Sequence, residues 1–253
     1  MTVTIVTGAS TGIGKSIANY ILSSSSTSKV FLTARTEKPL ADFVQEFGSA
    51  RVGYFVGDIS EKQTPSAIVS KTIEKFGAID AIVANAGMLE PVESVQQVKI
   101  DNWKKLFDVN YFSVVDLVSQ ALPYLKQTNG SIILVSSGAS TKSYYGWTAY
   151  GGSKAAINHF AICVASEVPE VRIVSVAPGV VDTSMQTSIR EVYGKNMTPQ
   201  SLQRFIDLKA NNQLLDPHFV GKIYGNLALK GVSEELNGKY VRYNDKLLKS
   251  YTE

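Results

Sequence analysis

The sequence has a single cysteine and two histidines among its 253 residues. One cysteine excludes an internal disulfide and any metal site built from several cysteines. Cys163 lies in the apolar run 160–164, which favours a buried structural thiol over a nucleophile. His159 and His218 are far apart and lack the spacing of metal ligands, so we predict no metal and assign His159 to helix packing or an interface.

Long apolar runs and an excess of charge of one sign are also missing. No run reaches the ~18 apolar residues of a membrane-spanning helix, and the chain enters a strand-like run at Val3 to Val6 without a signal-peptide pattern. The net charge of +3, from 25 basic and 22 acidic residues, is too small and scattered to indicate nucleic-acid binding. We therefore expect a cytoplasmic protein that binds neither nucleic acid nor a membrane.

Strand-like and helix-like segments alternate along the whole chain, without a linker or an internal repeat. The strand-like runs are 2–7, 29–34, 52–56, 79–84, 130–136, 171–177 and 239–243. This alternation predicts one α/β domain over residues 1–253, a Rossmann-type doubly wound fold with a mostly parallel seven-stranded sheet. The irregular pattern of 184–213, after the sixth strand, is typical of a lid over the substrate.

A glycine-rich turn follows the first strand and opens a helical stretch. Its sequence runs from Thr7 through Gly8, Gly12 and Gly14. Glycines let the backbone approach a pyrophosphate, and the N-terminus of the following helix faces the negative charge. Strand, glycine turn and helix in this order predict a dinucleotide site.

Tyr150 and Lys154 stand four residues apart, so on a helix they share one face. Ser137 precedes the tyrosine by thirteen residues, at the end of an apolar strand-like run. A phenol has an unperturbed pKa of about 10, and a nearby ammonium favours the phenolate and lowers that pKa. Ser137 can hold a carbonyl oxygen while the tyrosine transfers a proton, and Ser136 is the fallback for this role.

Together these motifs resemble those of the short-chain dehydrogenase/reductase family over nearly the whole chain. The resemblance implies reduction of a carbonyl by a nicotinamide cofactor, with Tyr150 as proton donor and Ser137 binding the carbonyl oxygen. Lys154 would lower the pKa of the tyrosine and bind the nicotinamide ribose. Asn110 matches the fourth catalytic residue of the family, which bends a helix and holds a water; its residue type alone indicates a capping or helix-kinking position.

The resemblance also implies which residues contact the cofactor. Near the pyrophosphate and the adenosine these are Gly8, Ser10, Thr11, Gly12, Ile13, Gly14, Asp58, Ile59, Asn85, Ala86 and Gly87. Near the nicotinamide they are Tyr150, Lys154, Pro178, Gly179, Val181 and Thr183. Asp58 could equally cap the next helix.

The end of the second strand-like run decides between NAD and NADP. An acidic residue there would bind the ribose 2′-hydroxyl of NAD, whereas an arginine accommodates the 2′-phosphate of NADP. This chain has Arg35 and Thr36, with no carboxylate before Glu37, and Lys15 adds positive charge nearby. We predict NADPH/NADP⁺ as the cofactor; the alternative is that Arg35 is a solvated loop residue.

Three aromatic residues, Tyr144, Tyr145 and Trp147, precede the catalytic tyrosine. They predict a wall for a flat substrate, with Met185 as a further contact, or ordinary packing under the loop. Gly146 and Trp147 before Tyr150 also resemble sepiapterin reductases and benzil-type diketone reductases. This resemblance suggests a vicinal dicarbonyl substrate, either a benzil-like diketone or a pterin side chain.

Two other functions remain open at this point: an alcohol dehydrogenase acting oxidatively, or a dinucleotide sensor that has lost the chemistry. Retention of Ser137, Tyr150 and Lys154 argues against a sensor. Family members commonly pair through the helices that would here span 103–126 and 150–167. The resemblance therefore implies a homodimer or homotetramer.

Overall fold

The computed structural model describes all residues, 1–253, and contains a single seven-stranded sheet. Its strands are β1 (Val3–Thr7), β2 (Lys29–Ala34), β3 (Val52–Val56), β4 (Ala81–Ala84), β5 (Ser131–Val135), β6 (Arg172–Ala177) and β7 (Tyr240–Arg242). The spatial order is β3-β2-β1-β4-β5-β6-β7, and every neighbouring pair is parallel. The order reverses between β1 and β4, where this type of fold forms its ligand crevice. The predicted fold class is confirmed.

Ten helices cover the sheet and its carboxyl edge. They are α1 (Gly12–Ser24), α2 (Lys38–Phe47), α3 (Thr64–Phe76), α4 (Ile100–Phe107), α5 (Ser113–Thr128), α6 (Thr148–Glu167), α7 (Ser184–Ser188), α8 (Pro199–Ala210), α9 (Pro217–Lys230) and α10 (Lys249–Thr252). A π-helical turn, Asp108–Phe112, joins α4 to α5. In none of the ten is there a stretch long and apolar enough to cross a bilayer.

The sheet is buried on both faces because successive residues of its central strands are apolar and point to opposite sides. Val6 and Ile133 pack into the cluster that includes α1 and α9. Their neighbours Ile5 and Ile132 pack into the cluster that includes α3, α5 and α6. Cys163 on α6 is half-buried rather than buried as expected, and His159 on the same helix is exposed.

A third apolar cluster lies where the predicted lid meets the loop before α6. The lid, 184–213, is mostly helical, built from α7, a second π-helical turn (Ile189–Tyr193) and α8. Its elements are short and interrupted, which gives the sequence its irregular apolar pattern. Phe205 of α8 is buried against Trp147 and Tyr150 in this cluster.

The lid is also tied to the loop that follows β4. The Nδ2 of Asn196 donates a hydrogen bond of 2.9 Å to the carbonyl oxygen of Val92. The hydroxyl of Tyr193 donates to a carboxylate oxygen of Glu90. Burial, followed by this carboxylate, raises the pKa of Tyr193 to about 12. The hydroxyl therefore keeps its proton, and with it this contact, across the neutral range.

Candidate active site

The glycine turn after β1 is packed so closely that two of its positions exclude a side chain. A Cβ at Gly14 would lie 2.3 Å from the carbonyl oxygen of Gly8 and 2.5 Å from Nδ2 of Asn85. Gly8 has a φ of +66°, and a Cβ there would lie 2.9 Å from the same Nδ2. The turn therefore needs glycine at both positions, as its proposed role as a phosphate cradle requires.

The loop after β4 holds the glycine turn in place. Asn85 donates from Nδ2 to the carbonyl oxygens of Thr7 and Gly8, at 2.9 and 3.2 Å. In return, the hydroxyl of Thr7 accepts hydrogen bonds from the backbone N–H groups of Asn85 and Ala86, at 3.0 and 2.9 Å. These bonds fix the turn at the point where the strand order reverses.

The first turn of α1 faces the same cleft. Thr11 is its N-cap residue, with an extended backbone, and its side chain makes no capping hydrogen bond. The N–H groups at the start of this helix therefore have no side-chain acceptor, although helix N-termini favour one. Thr11, Gly12 and Ile13 line the cleft. The arrangement fits the pyrophosphate of a dinucleotide.

The cleft has a volume of about 320 Å³ and runs along the carboxyl ends of the strands. The predicted site residues that line it are Gly8, Ser10, Thr11, Gly12, Ile13, Arg35, Asp58, Ile59, Asn85, Ala86, Gly87, Ser137, Tyr150, Lys154, Pro178, Gly179, Val181, Thr183 and Met185. Gly14 lies beneath the turn, and Thr36 is exposed outside the lining. Met88 and Gln186 also line the cleft and were not predicted. Gln186 could have been inferred from its place one turn beyond Thr183.

Ser137, Tyr150 and Lys154 meet at one end of this cleft. Tyr150 and Lys154 lie one turn apart on α6, with the lysine Nζ 5.9 Å from the centre of the phenol ring. The Nζ also donates a hydrogen bond of 2.7 Å to the carbonyl oxygen of Val135. Ser137 follows the end of β5, and its Oγ accepts a hydrogen bond from the backbone N–H of Ala139 at 3.1 Å.

Burial sets the protonation of this group. Burial raises the pKa of Tyr150, and a hydrogen bond with Ser137 lowers it in part. Burial also lowers the pKa of Lys154 from 10.5 to about 8. The sequence leads us to expect that Lys154 would bring the tyrosine pKa down. In the protein chain by itself, desolvation has the larger effect and acts in the opposite direction.

Ser136, the fallback for the serine role, is occupied elsewhere. Its hydroxyl is buried and donates a hydrogen bond of 2.6 Å to Oδ1 of Asn158. Asn158 in turn donates from Nδ2 to the hydroxyl of Ser140, at 2.9 Å. Ser136 therefore packs the loop after β5 against α6, and Ser137 is the serine whose side chain lowers the pKa of Tyr150.

Asn110 is fully buried in the π-helical turn, behind the cleft. Its Oδ1 accepts from the backbone N–H of Met88 at 2.8 Å, and its Nδ2 donates to the carbonyl oxygen of the same residue at 2.9 Å. The Nδ2 also lies 3.2 Å from the hydroxyl of Ser153, which donates to the carbonyl oxygen of Tyr150. Asn110 thus joins the loop after β4 to the catalytic helix, and the helix is distorted at the predicted position.

Arg35 and Asp58 line the end of the cleft beside β2 and β3. Arg35 is exposed at the end of β2 and takes part in no ion pair. The pKa of Asp58 is lowered, chiefly by a hydrogen bond from Ser60 and to a smaller degree by the charges of Arg35 and Lys105. Glu37, the nearest acid in the sequence, accepts a hydrogen bond from the hydroxyl of Tyr54 at 3.1 Å. Arg35 is therefore accessible to a ligand anion.

The aromatic residues of the loop before α6 differ in their surroundings, and the contacts of Trp147 are those of ordinary packing. Trp147 is buried and stacks on Tyr144 at 4.9 Å and on Phe205 at 5.4 Å, and its ring is T-shaped to that of Tyr150 at 5.8 Å. Its indole Nε1 is buried without a hydrogen-bond partner. Tyr144 is only half-buried, whereas Tyr145 is exposed and lines a separate cavity beneath the lid. Trp147 thus packs the loop, while Tyr144 borders its outer side.

Comparison with known proteins identifies the family of the chain. The family described as short chain dehydrogenase matches residues 2–194. The chain is 48% identical to a benzil reductase ((S)-benzoin forming) of Saccharomyces cerevisiae over 255 residues, which cover 97% of each protein. A benzil reductase of the same description from Bacillus cereus is 33% identical over 232 residues, covering 88% of this chain and 92% of that protein.

A crystal structure of a short chain dehydrogenase/reductase from Saccharomyces cerevisiae superposes with a TM-score of 0.97 at 45% identity, covering 99% of both chains. The family match, these relatives and the superposition all extend over most of the chain. The chain therefore belongs to the short-chain dehydrogenase/reductase family of oxidoreductases.

Proposed function

We propose that the protein is an NADPH-dependent carbonyl reductase whose substrate is a vicinal dicarbonyl, with Tyr150 as the proton donor. The observation that carries this proposal is the meeting of Ser137, Tyr150 and Lys154 at one end of the cleft that begins at the glycine turn. The two relatives described as benzil reductases support the diketone as the substrate class.

The residues of the cleft fit a dinucleotide phosphate. The glycine turn and the first N–H groups of α1 would hold the pyrophosphate, and Arg35 would bind the 2′-phosphate. Val181 and Thr183, after β6, would orient the nicotinamide. Bound NADPH supplies the hydride that reduces the carbonyl carbon.

The protonation of Tyr150 favours the reductive direction. Burial raises the pKa of the phenol, so its proton stays in place at neutral pH. An alkoxide formed from the carbonyl is a far stronger base than a phenolate and takes that proton. The hydroxyl of Ser137 would hydrogen-bond the same substrate oxygen and so favour its negative charge in the transition state.

Lys154 would restore the proton of Tyr150 between turnovers. Its pKa of about 8 lets Nζ gain and lose a proton near neutrality. The hydrogen bond to Val135 keeps Nζ beside the tyrosine throughout. Asn110 would act as a positioning residue, because its hydrogen bonds fix Met88 on the wall of the cleft and lead through Ser153 to Tyr150.

The test is NADPH consumption with benzil, diacetyl and acetophenone as substrates, comparing wild type with Tyr150→Phe. We expect turnover of the diketones and a loss of at least ~1,000-fold in the variant, with NADPH affinity retained. Turnover of acetophenone but not of the diketones would show that the substrate is a simple ketone and not a vicinal dicarbonyl. Tight NADPH binding with no turnover of any carbonyl would favour the sensor, and alcohol oxidation alone would favour the dehydrogenase.

We also propose that two copies of the chain pair through α5 and α6. Ile162 on α6 and Phe112 at the start of α5 are large apolar side chains, each 55% exposed. His159 lies beside Ile162 on the exposed face of α6, consistent with an interface role. Light scattering should give a dimer or tetramer for wild type and a smaller species for Ile162→Glu; a monomeric wild type would contradict the pairing.

A further inference from the structure

We propose that the substrate carries an anionic group, such as a carboxylate, which Arg242 and Arg204 bind at the outer rim of the site beside Tyr144. This inference rests on the proposed reductase function and narrows its substrate class to acidic carbonyl compounds. It depends on two arginines, Arg242 on β7 and Arg204 on α8 of the lid, which both lie near the turn that follows Ser137.

Arg242 reaches that turn from the end of β7. One Nη of its guanidinium lies 3.2 Å from the position that a Cβ would take at Gly138, the residue after Ser137. Tyr240, two residues earlier, donates from its hydroxyl to the carbonyl oxygen of Ser137 at 3.2 Å. The end of β7 is thus fastened to the catalytic turn, and Arg242 is exposed at its edge.

Arg204 reaches the same place from α8 of the lid. Its Nη1 donates to the hydroxyl of Tyr144 at 3.4 Å, and its guanidinium carbon lies 5.4 Å from the centre of that ring. The Tyr144 hydroxyl lies 4.0 Å from the same point at Gly138 that Arg242 approaches. The guanidinium groups of Arg204 and Arg242 therefore both lie near the hydroxyl of Tyr144, at the rim of the site.

Neither charge is neutralised within the protein. All four ion pairs of the chain use lysines, and none includes Arg204 or Arg242. The closest acid in the sequence to Arg242, Asp245, accepts a hydrogen bond from the backbone N–H of Leu247 and caps the following turn. A guanidinium has a planar fork of donors that matches a carboxylate, so two unpaired forks at one rim form an anion site.

The aromatic cluster holds the lid-side half of this anion site in place. Tyr144 stacks on Trp147, and Trp147 stacks on Phe205, the neighbour of Arg204 on α8. Arg204 lies over the rings of both Tyr144 and Phe205. The position of the guanidinium is therefore set before a ligand arrives, which reduces the entropy lost on binding.

A matched pair of diketones tests this inference: 4-carboxybenzil and its methyl ester, which differ by one charge far from the reacting carbonyls. For wild type we expect kcat/KM for the acid to exceed that for the ester by about tenfold or more, with the preference falling as salt is added. Arg242→Ala and Arg204→Ala should each lower this acid-to-ester ratio by about tenfold, and Arg242→Lys should restore part of it.

Arg172→Ala is the matched control, since Arg172 is an exposed arginine at the opposite end of the sheet. It should leave the ratio unchanged. If wild type and the Arg242 variants all reduce the acid and the ester with the same kcat/KM, the anion site is overturned, whereas the reductase proposal stands.

Calorimetry with 4-benzoylbenzoate and its methyl ester, in the presence of NADP⁺, separates the two proposals when no diketone is reduced. Weaker binding of the acid, but not of the ester, by Arg242→Gln would support the anion site even if the reductase proposal fails. Equal binding of acid and ester by wild type would overturn the anion site.

Discussion

Lys154 donates a hydrogen bond of 2.7 Å from Nζ to the carbonyl oxygen of Val135, the last residue of β5. The bond joins the catalytic helix α6 to the strand that leads into Ser137. It also leaves the ammonium group buried, with only 5% of the residue exposed and no carboxylate partner. The lysine is thus placed at a cost in stability, and that cost can be measured.

Replacing Lys154 with methionine should abolish reductase activity and change how stability depends on pH. Burial lowers the pKa of Lys154 to about 8 in the folded protein, from 10.5. Between these two values the unfolded chain binds more protons than the folded chain, so the wild type gains stability as the pH rises. The gain should be on the order of 3 kcal/mol.

Urea denaturation of wild type and Lys154→Met, from about pH 7 to about pH 11, measures this gain. The other titrating groups are common to both proteins, so the difference in unfolding free energy reports Lys154 alone. The unfolding free energy of the wild type should rise relative to that of the variant as the pH rises through this interval. Two parallel curves would show that the lysine pKa is not lowered.

Ser136 and Ser137 should give opposite results when each is changed to alanine. Ser137→Ala removes the proposed donor to the substrate oxygen and should lower kcat by about 100- to 1,000-fold, and loss of the acceptor of the Ala139 N–H should lower the unfolding free energy by about 1 kcal/mol. Ser136→Ala instead leaves Oδ1 of Asn158 without the donor that it now has at 2.6 Å, which should lower the unfolding free energy by about 1–3 kcal/mol. A large loss of kcat in the Ser136 variant alone would reverse the assignment.

Gly14→Ala should weaken cofactor binding by at least about tenfold and lower the unfolding free energy by about 1–3 kcal/mol. The added Cβ would lie 2.3 Å from the carbonyl oxygen of Gly8, so the glycine turn must move. Gly152→Ala on α6 is the control, because its nearest new contact would be 3.7 Å away and helical alanine is favourable. Fluorescence titration with NADPH measures the affinity; equal affinity in both variants would contradict the cradle.

Arg35→Ala should remove the preference for NADPH over NADH. Loss of a charged hydrogen bond to the 2′-phosphate should lower kcat/KM for NADPH by about 10- to 100-fold, with a change of less than about threefold for NADH. Lys38→Ala is the control, since Lys38 is exposed nearby and pairs with Asp42. A wild type that uses NADH as well as NADPH would show that Arg35 does not select the cofactor.

The sequence predicts best where the signal is local. The run of β-branched residues before Gly8 predicts both β1 and the turn that follows it. The alternation of segments predicts a helix between β2 and β3 without giving its bounds, and the spacing of Leu40, Phe43 and Phe47 indicates the apolar face of that helix, α2. The spacing of Tyr150 and Lys154 alone also predicts that the two side chains share one face of α6.

Features that depend on distant segments were not predictable. Arg242 lies beside Gly138 because β7 pairs with β6 and Tyr240 bonds to Ser137, a relationship across about a hundred residues of chain. The raised pKa of Tyr150 depends on burial beside Trp147, which the order of residues does not reveal. Asn110 was identified through the family resemblance, because an asparagine at this place in the sequence indicates by itself only a helix cap or a kink.

The π-helical turn at Asp108–Phe112 places one extra residue in the otherwise continuous helix that α4 and α5 form. A π turn holds one residue more than an α turn, so deleting one residue there would restore a regular α-helix, and α4 and α5 would keep the faces that they now present. Leu106 before the turn and Leu117 and Val118 after it would then stay in the core. The extra residue therefore serves the placement of Asn110 and not the packing of the sheet: its deletion would withdraw Asn110 from its hydrogen bonds with Met88 while the core stays filled.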